Sequence, residues 1–304
     1  MLSTTEAFEK FRQKLELSTT ERQDAAKRHA EVRDCIRAGF DLANDFLSGS
    51  YRRHTKTKPL KDVDIFFVLG EKERWRRDKP PLETLQAFEA CLKKKYTDTD
   101  QLELCRRAVT VVFEKSYYAD GHEGKVMSID AVPAIQTSSD VFEIPDKVVG
   151  KWIKTNPKKH AEQATAKNAE LDGKWVPLVK MIKGWNRANG KPMKPSFLVE
   201  VMAEDLVEAP FSTYPNEVRN LFAAMEANIG RVWPDPAGLG PPVSDQMTPQ
   251  LVAAASRLGT TRLSSIPLAP WRIRACSSVR DGRQQTEPVR KGVGRPDLPP
   301  CRPR

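Results

Sequence analysis

The sequence offers little from which a covalent or metal-built framework could be made. Its five cysteines (Cys35, Cys91, Cys105, Cys276 and Cys301) are odd in number and widely scattered, with no CxxC pair and no Cys/His cluster. That excludes a disulfide framework and a zinc site, and it predicts a cytosolic protein with reduced thiols. No apolar run approaches the roughly 20 residues that a membrane span needs. The start, Met1 to Glu6, lacks the charged beginning and apolar stretch of a secretory signal. No membrane partner is expected. The body also lacks a strong charge of one sign, although the whole chain carries +10. Residues 257–304 hold ten Arg and one Lys against three acidic residues, net +8, which leaves +2 for the other 256 residues. A charge argument for nucleic-acid binding by the body therefore fails.

What is present centres on residues 46–68. A Gly-Ser turn at Gly49-Ser50 is followed by a basic loop with Arg52, Arg53 and Thr55, then by Asp62-Val63-Asp64 entering the apolar run Ile65 to Val68. Side chains two apart on a strand share a face, so Asp62 and Asp64 project together. Two carboxylates so placed repel each other unless a hard cation lies between them, and Mg²⁺ is commonly held by one or two carboxylates plus substrate phosphates. Gly49 permits close backbone approach, and turn N–H groups make an anion-binding nest. A third carboxylate, Asp130, lies near the end of the strand-like run Val126 to Val132.

Along the chain, residues 6–47 have a helical pattern, with a break and cap at Ser18 to Glu21 and a long helix from Thr20 to Phe46. Gly70 to Pro81 reads as a loop and Leu82 to Tyr96 as an amphipathic helix. Ala108 to Phe113 is a predicted strand, Asp120 to Gly124 a turn, and Phe142 to Asp146 a short extended segment. Helices are expected over His160–Leu171, Trp175–Asn189, Phe197–Leu206 and Glu217–Ile229. Lys180, Lys183 and Arg187 fall on a different face of the second of these from its core residues. The Pro/Gly-rich segment Trp233 to Pro242 should pack on a surface or at a cleft edge, and a helix should begin at Thr248-Pro249. Its pattern collapses near Leu258, where Arg replaces Lys and Pro and Gly multiply. That switch fits either translation of another reading frame or a disordered basic tail. The predicted division is 1–150, a spine helix and α/β core; 151–256, helical; and 257–304, the tail.

Gly-Ser, a spacer, Asp-x-Asp and a later strand carboxylate resemble the nucleotidyltransferases with a polymerase-β-like core. Leu178 to Gly190 and Lys194 to Val201 resemble the C-terminal helical domain of oligoadenylate synthases and of the bacterial cyclic-oligonucleotide synthases called CD-NTases, relatives of cyclic GMP–AMP synthase. The Asp235-Pro236 segment resembles one found late in these proteins. The likeness covers roughly residues 5–256. It implies an α+β fold, a mixed sheet flanked by helices plus the helical domain, with the active site in the cleft between them. It further implies that Gly49 and Ser50 hold the β- and γ-phosphates of a donor nucleotide, and that Asp62, Asp64 and Asp130 bind two Mg²⁺, for which Mn²⁺ can substitute. Lys180 or Lys183 would reach the triphosphate, and Arg52 and Asp235 would line the nucleotide site. The implied activity is synthesis of a cyclic di- or trinucleotide second messenger from nucleoside triphosphates, ATP among them, in bacterial anti-phage signalling.

The chain departs from the animal DNA sensor in having no zinc-binding insertion and no broad basic face outside the tail. Control by a protein partner, or constitutive activity, is therefore expected rather than direct activation by nucleic acid. Two other readings remain open on the sequence: a nucleotidyltransferase that modifies RNA or protein, and a non-catalytic nucleotide-binding module.

Overall fold

The structure, a computed structural model, describes residues 2–97, 102–113 and 127–263. The expected turn at Asp120 to Gly124 and the tail beyond Leu263 lie outside the described residues. The chain opens with two capped helices, α1 (Thr4–Leu15) and α2 (Thr19–Arg37). Each starts with a reciprocal capping box, Ser3 with Glu6 and Ser18 with Glu21, which satisfies two backbone donors per helix start. The second box is the one the sequence predicts.

The long helix expected to reach Phe46 stops at Arg37, and Leu42–Ser48 is a strand, β1. It pairs antiparallel with β2 (Asp62–Leu69), placing Phe46 opposite Phe66 and Ser48 opposite Asp64. Leu42 and Phe46 are four apart, which mimics helical spacing. The ladder to β2 overrides that local signal, because strand preference is set by what the strand packs against. The expected loop after β2 is instead largely a 3₁₀ helix, Glu71–Asp78. Helix α4 (Pro81–Lys93) follows the predicted amphipathic pattern, with Leu85, Phe88 and Leu92 fully buried. A four-residue helix, α3 (Gly49–Arg52), sits between β1 and β2.

The remaining strands are β3 (Leu102–Leu104), β4 (Val109–Phe113), β5 (Met127–Gln136), β6 (Phe142–Asp146) and β7 (Lys151–Thr155). The sheet order is β1-β2-β5-β4-β3, with β6 on the far end of β5 and β7 beside β6. Among the described residues only the β2–β5 pair is parallel, so the sheet is mixed. One face carries Val63, Ile65 and Phe67 with Val109, Val111, Ile129 and Ala131, packed on α2 and α4. Burying each such side chain contributes roughly 1.5–3 kcal/mol. The opposite face begins with Asp62, Asp64 and Asp130. It turns apolar farther along, at Phe66, Val68, Val132, Phe142 and Ile144.

Among the described residues, five more α-helices follow: α5 (Pro157–Glu170), α6 (Trp175–Ala188), α7 (Ser196–Leu206), α8 (Tyr214–Asn228) and α9 (Pro249–Leu263). Their shared core includes Trp175, Leu178, Ile182, Leu198 and Leu221. Helix α1 packs against α6 and α8, so the N-terminal helix is built into this second core and not into the sheet. Helix α9 continues seven residues past Ser256, beyond the point where the sequence pattern fades. Among the described residues, no helix is long and apolar enough to cross a membrane.

Candidate active site

Ser48, the last residue of β1, passes directly into Gly49, whose φ of +61° is a left-handed conformation that glycine adopts readily. The turn brings the Gly49 backbone hard against Asp64: a Cβ placed there would lie 1.8 Å from Asp64 Oδ2. Thr55 N–H then donates to the Ser50 carbonyl at 3.0 Å, folding the basic loop back toward α3. Strand β2 opens with Asp62. In register, Asp64 lies between Ser48 on β1 and Asp130 on β5. Strand β5, inserted between β2 and β4, is what makes Asp64 and Asp130 neighbours.

Thr110 on β4 faces Asp130 across the other ladder, and its hydroxyl donates to Asp130 Oδ1 at 2.7 Å. Burial first, and the Asp64 carboxylate second, push the Asp130 carboxyl well above the usual carboxylate range, against the lowering effect of Thr110. Burial also acts to raise Asp62, but Lys56, 3.3 Å away, outweighs it and holds that carboxyl below its ordinary value, with Lys191 and Lys61 adding to the effect. The donor set of paired carboxylates at a strand start suits a hard divalent cation. Among the described residues, no three acidic, histidine or cysteine side chains are gathered into a metal-holding group. Asp62, whose side chain is half exposed, meets Lys56 instead.

Two cavities meet here. One, about 320 Å³, is lined by Gly49, Asp64 and Asp130 on the sheet side and by Phe197, His160 and Asp235 opposite. The other, about 270 Å³, is rich in cations, with Lys61, Lys183, Arg187, Lys191 and Lys194 on its walls. Ser50, Lys56 and Asp62 line both.

The predicted site residues divide accordingly. Gly49, Ser50, Asp62, Asp64 and Asp130 all line the larger cavity. Lys183 reaches the basic cavity, whereas Lys180 lines neither cavity and pairs with Glu16 at 2.8 Å. Both lysines are buried, although they lie on a different face of α6 from the residues expected in its core. Arg52 is exposed and lines neither cavity. The side chain of its neighbour Arg53 is 9% exposed. Asp235 lines the larger cavity, but its carboxylate is engaged with its own loop. It meets His160 Nε2 at 2.6 Å and accepts from the Leu239 and Gly240 N–H groups. Those bonds outweigh the raising effect of burial and lower its pKa. Thr110 and Glu200 went unread in the sequence. Glu200 did leave a signal there, as a lone charge inside the apolar run Phe197 to Ala203.

Residues 2–168 match the family described as the Second Messenger Oligonucleotide or Dinucleotide Synthetase domain, SMODS, which is more than half of the chain. The chain belongs to this family. The SMODS match takes in the Gly49-Ser50 turn and all three aspartates. A cyclic AMP-AMP-AMP synthase of Acinetobacter sp. is 29% identical over 244 residues, 75% of this chain and 65% of that protein. A probable cyclic nucleotide synthase of Bacillus cereus is 28% identical over 223 residues, 63% of this chain and 64% of that protein. The chain thus spans less than two thirds of the length of these curated relatives. Among solved structures, CdnC of E. coli MS115-1 with ATP superposes with a TM-score of 0.64 at 17% identity, covering 86% of this chain and 91% of that one. The CD-NTase CdnG of Bradyrhizobium diazoefficiens with GTP gives 0.63 at 15% identity, with the same coverage. At such identities the likeness is one of fold: the α+β fold expected from the sequence, with its mixed sheet flanked by helices.

Proposed function

We propose that this SMODS protein is a nucleotidyltransferase that joins nucleoside triphosphates into a cyclic di- or trinucleotide second messenger. The observation that carries the reading is the placement of Asp64 between the Gly49-Ser50 turn and Asp130 at the wall of a cavity large enough for a nucleotide. In this reading the active site is the cleft between the sheet core (roughly 1–150) and an oligoadenylate-synthase-like helical part (151–256). Gly49 and Ser50 hold the β- and γ-phosphates, and the cation-rich cavity beside them takes the triphosphate, with Lys183 contributing charge. Asp130, whose raised carboxyl suits proton transfer, takes the proton of the attacking ribose hydroxyl. When bound at Asp62, Asp64 and Asp130, two Mg²⁺ ions, or Mn²⁺, supply activation of that hydroxyl and stabilisation of the leaving pyrophosphate.

The Acinetobacter relative is a cyclic AMP-AMP-AMP synthase and CdnC was solved with ATP, which makes ATP the first substrate to test. CdnC was also solved with a HORMA protein, which supports control of this chain by a protein partner in anti-phage signalling. The test is incubation with α-labelled ATP, GTP, CTP and UTP and Mg²⁺, then phosphatase and chromatography. The expected result is a small phosphatase-resistant product. Label found only in an RNA or protein acceptor would overturn the proposal.

The two lysines separate cleanly. Lys183→Met should raise the KM for the nucleotide at least tenfold, since a hydrogen bond to a charged group contributes about 1.5–3 kcal/mol. Lys180→Met, which breaks the pair with Glu16 and lies outside both cavities, should leave KM within about twofold. Steady-state kinetics on both variants checks this.

A further inference from the structure

Glu200 sits in α7 between Val199 and Val201, 2% exposed. Its carboxylate takes two hydrogen bonds from the Arg53 guanidinium, Nε to Oε2 at 2.8 Å and Nη2 to Oε1 at 3.0 Å. Lys183 Nζ, from α6, donates to the same Oε1 at 2.5 Å and lies 3.2 Å from Thr55 Oγ1. The Arg53 guanidinium also lies over the Phe197 ring, 4.4 Å from its centroid. One buried carboxylate thus holds two cations, and each cation lines a different cavity: Arg53 the one with Asp64 and Asp130, Lys183 the basic one.

An arrangement needed only for stability would have little reason to take this form. Well-packed apolar residues of similar volume often replace a buried ion pair at no cost in stability, whereas removal of one partner leaves a buried charge uncompensated. Glu200 is the exception in the apolar run of α7, and both of its partners open onto cavities. We propose that Glu200 is a positioning residue for the nucleotide: it fixes Arg53 and Lys183 at the boundary of the two cavities so that their charges meet the substrate phosphates. This rests on the synthase reading above.

The electrostatics agree. Burial lowers the Lys183 ammonium to about 8, Glu200 opposes the fall, and Arg53 just after α3 and Lys56 in the loop add to it. Glu200 itself is held far below the usual range by Arg53 and Lys183, and Glu204, one turn along α7, is a neighbouring carboxylate. Without the Glu200 charge, Lys183 should lose its proton at a lower pH.

The test uses the full chain with Mg²⁺ and a non-hydrolysable ATP analogue. Dissociation constants are measured at pH 6.5 and 8.5 for wild type, Glu200→Gln, Lys183→Met and the double variant, with thermal unfolding in parallel. The expected result is at least tenfold weaker binding by Glu200→Gln at pH 8.5, with the gap to wild type narrowing several-fold at pH 6.5. The double variant should lose less affinity than the two single losses combined, because Lys183 is one of the two cations that Glu200 holds. If Glu200→Gln does not fold, Glu200→Asp keeps the charge on a shorter stem, and weaker binding without new pH dependence is expected. A folded Glu200→Gln with wild-type affinity at both pH values overturns the inference. So does an equal loss at both pH values that adds to that of Lys183→Met. A wild-type chain that binds no nucleoside triphosphate overturns the synthase reading and this inference with it; the other two outcomes leave that reading intact.

Discussion

Asp130→Asn is expected to lower synthesis at least about a thousandfold, roughly 4 kcal/mol of transition-state stabilisation, while making the metal-free protein more stable at pH 8. The two effects share one cause. Asp130 is buried beside Asp64, and its carboxyl is raised. A raised carboxyl binds its proton more tightly in the folded chain than in the unfolded one. Its stabilising contribution is therefore complete below the unfolded pKa, near 3.9, and is lost as pH rises through the folded value. At pH 8 the charged Asp130 works against folding, and an asparagine there does not. The variant should melt higher at pH 8, by about 2–4 °C for each kcal/mol gained, and the gain should vanish near pH 4. Millimolar Mg²⁺ should raise the melting temperature of the wild type more than that of the variant. Scanning calorimetry at both pH values, with and without Mg²⁺, gives the answer. A variant that is less stable at pH 8, or fully active, would remove Asp130 from the carboxylate group.

Much of this site was visible as local pattern. Asp62 and Asp64 share a face because strands alternate, and Gly49-Ser50 is marked by residue type. The capping box at Ser18, helix α4 and the core face of α6 were likewise written in spacing. Non-local pairing was not. Nothing in the run Met127 to Gln136 tells that it lies parallel to β2 and antiparallel to β4, yet that insertion is what sets Asp130 beside Asp64. The stretch Leu42 to Ser48 shows the same limit, since its apolar residues satisfy a helix and a strand alike until β2 is placed alongside. Lys180 and Lys183 are equivalent in sequence, three residues apart on one helix. Their fates differ because Glu16 stands opposite one and Glu200 opposite the other. A charge inside an apolar helix, such as Glu200, is the kind of local misfit that signals a distant buried partner.

Gly49→Ala should lower activity about a hundredfold, and for a reason that is steric and not chemical. Two constraints meet at Gly49. Its φ of +61° costs an L-residue about 1–2 kcal/mol, and a Cβ would lie 1.8 Å from Asp64 Oδ2 and 2.5 Å from Asp64 Cγ. The second constraint cannot be relieved in place. Asp64 is held by ladders on both sides, to Ser48 and to Asp130, so either the turn or the carboxylate must shift by an ångström or more. A displacement of that size at a reacting centre can cost about a hundredfold in rate. The stability loss should stay within about 1–3 kcal/mol, because the turn can open toward the cavity. Gly173→Ala is the matched control. Gly173 has a φ of +76° with nothing within 4 Å of an added Cβ, so it bears the backbone cost alone. If the two variants lose similar stability and only Gly49→Ala loses turnover, the close approach of turn to carboxylate is what the activity requires. Equal turnover in both would mean that the phosphate cradle and Asp64 do not act as one unit, and the proposed site would have to be redrawn without Gly49.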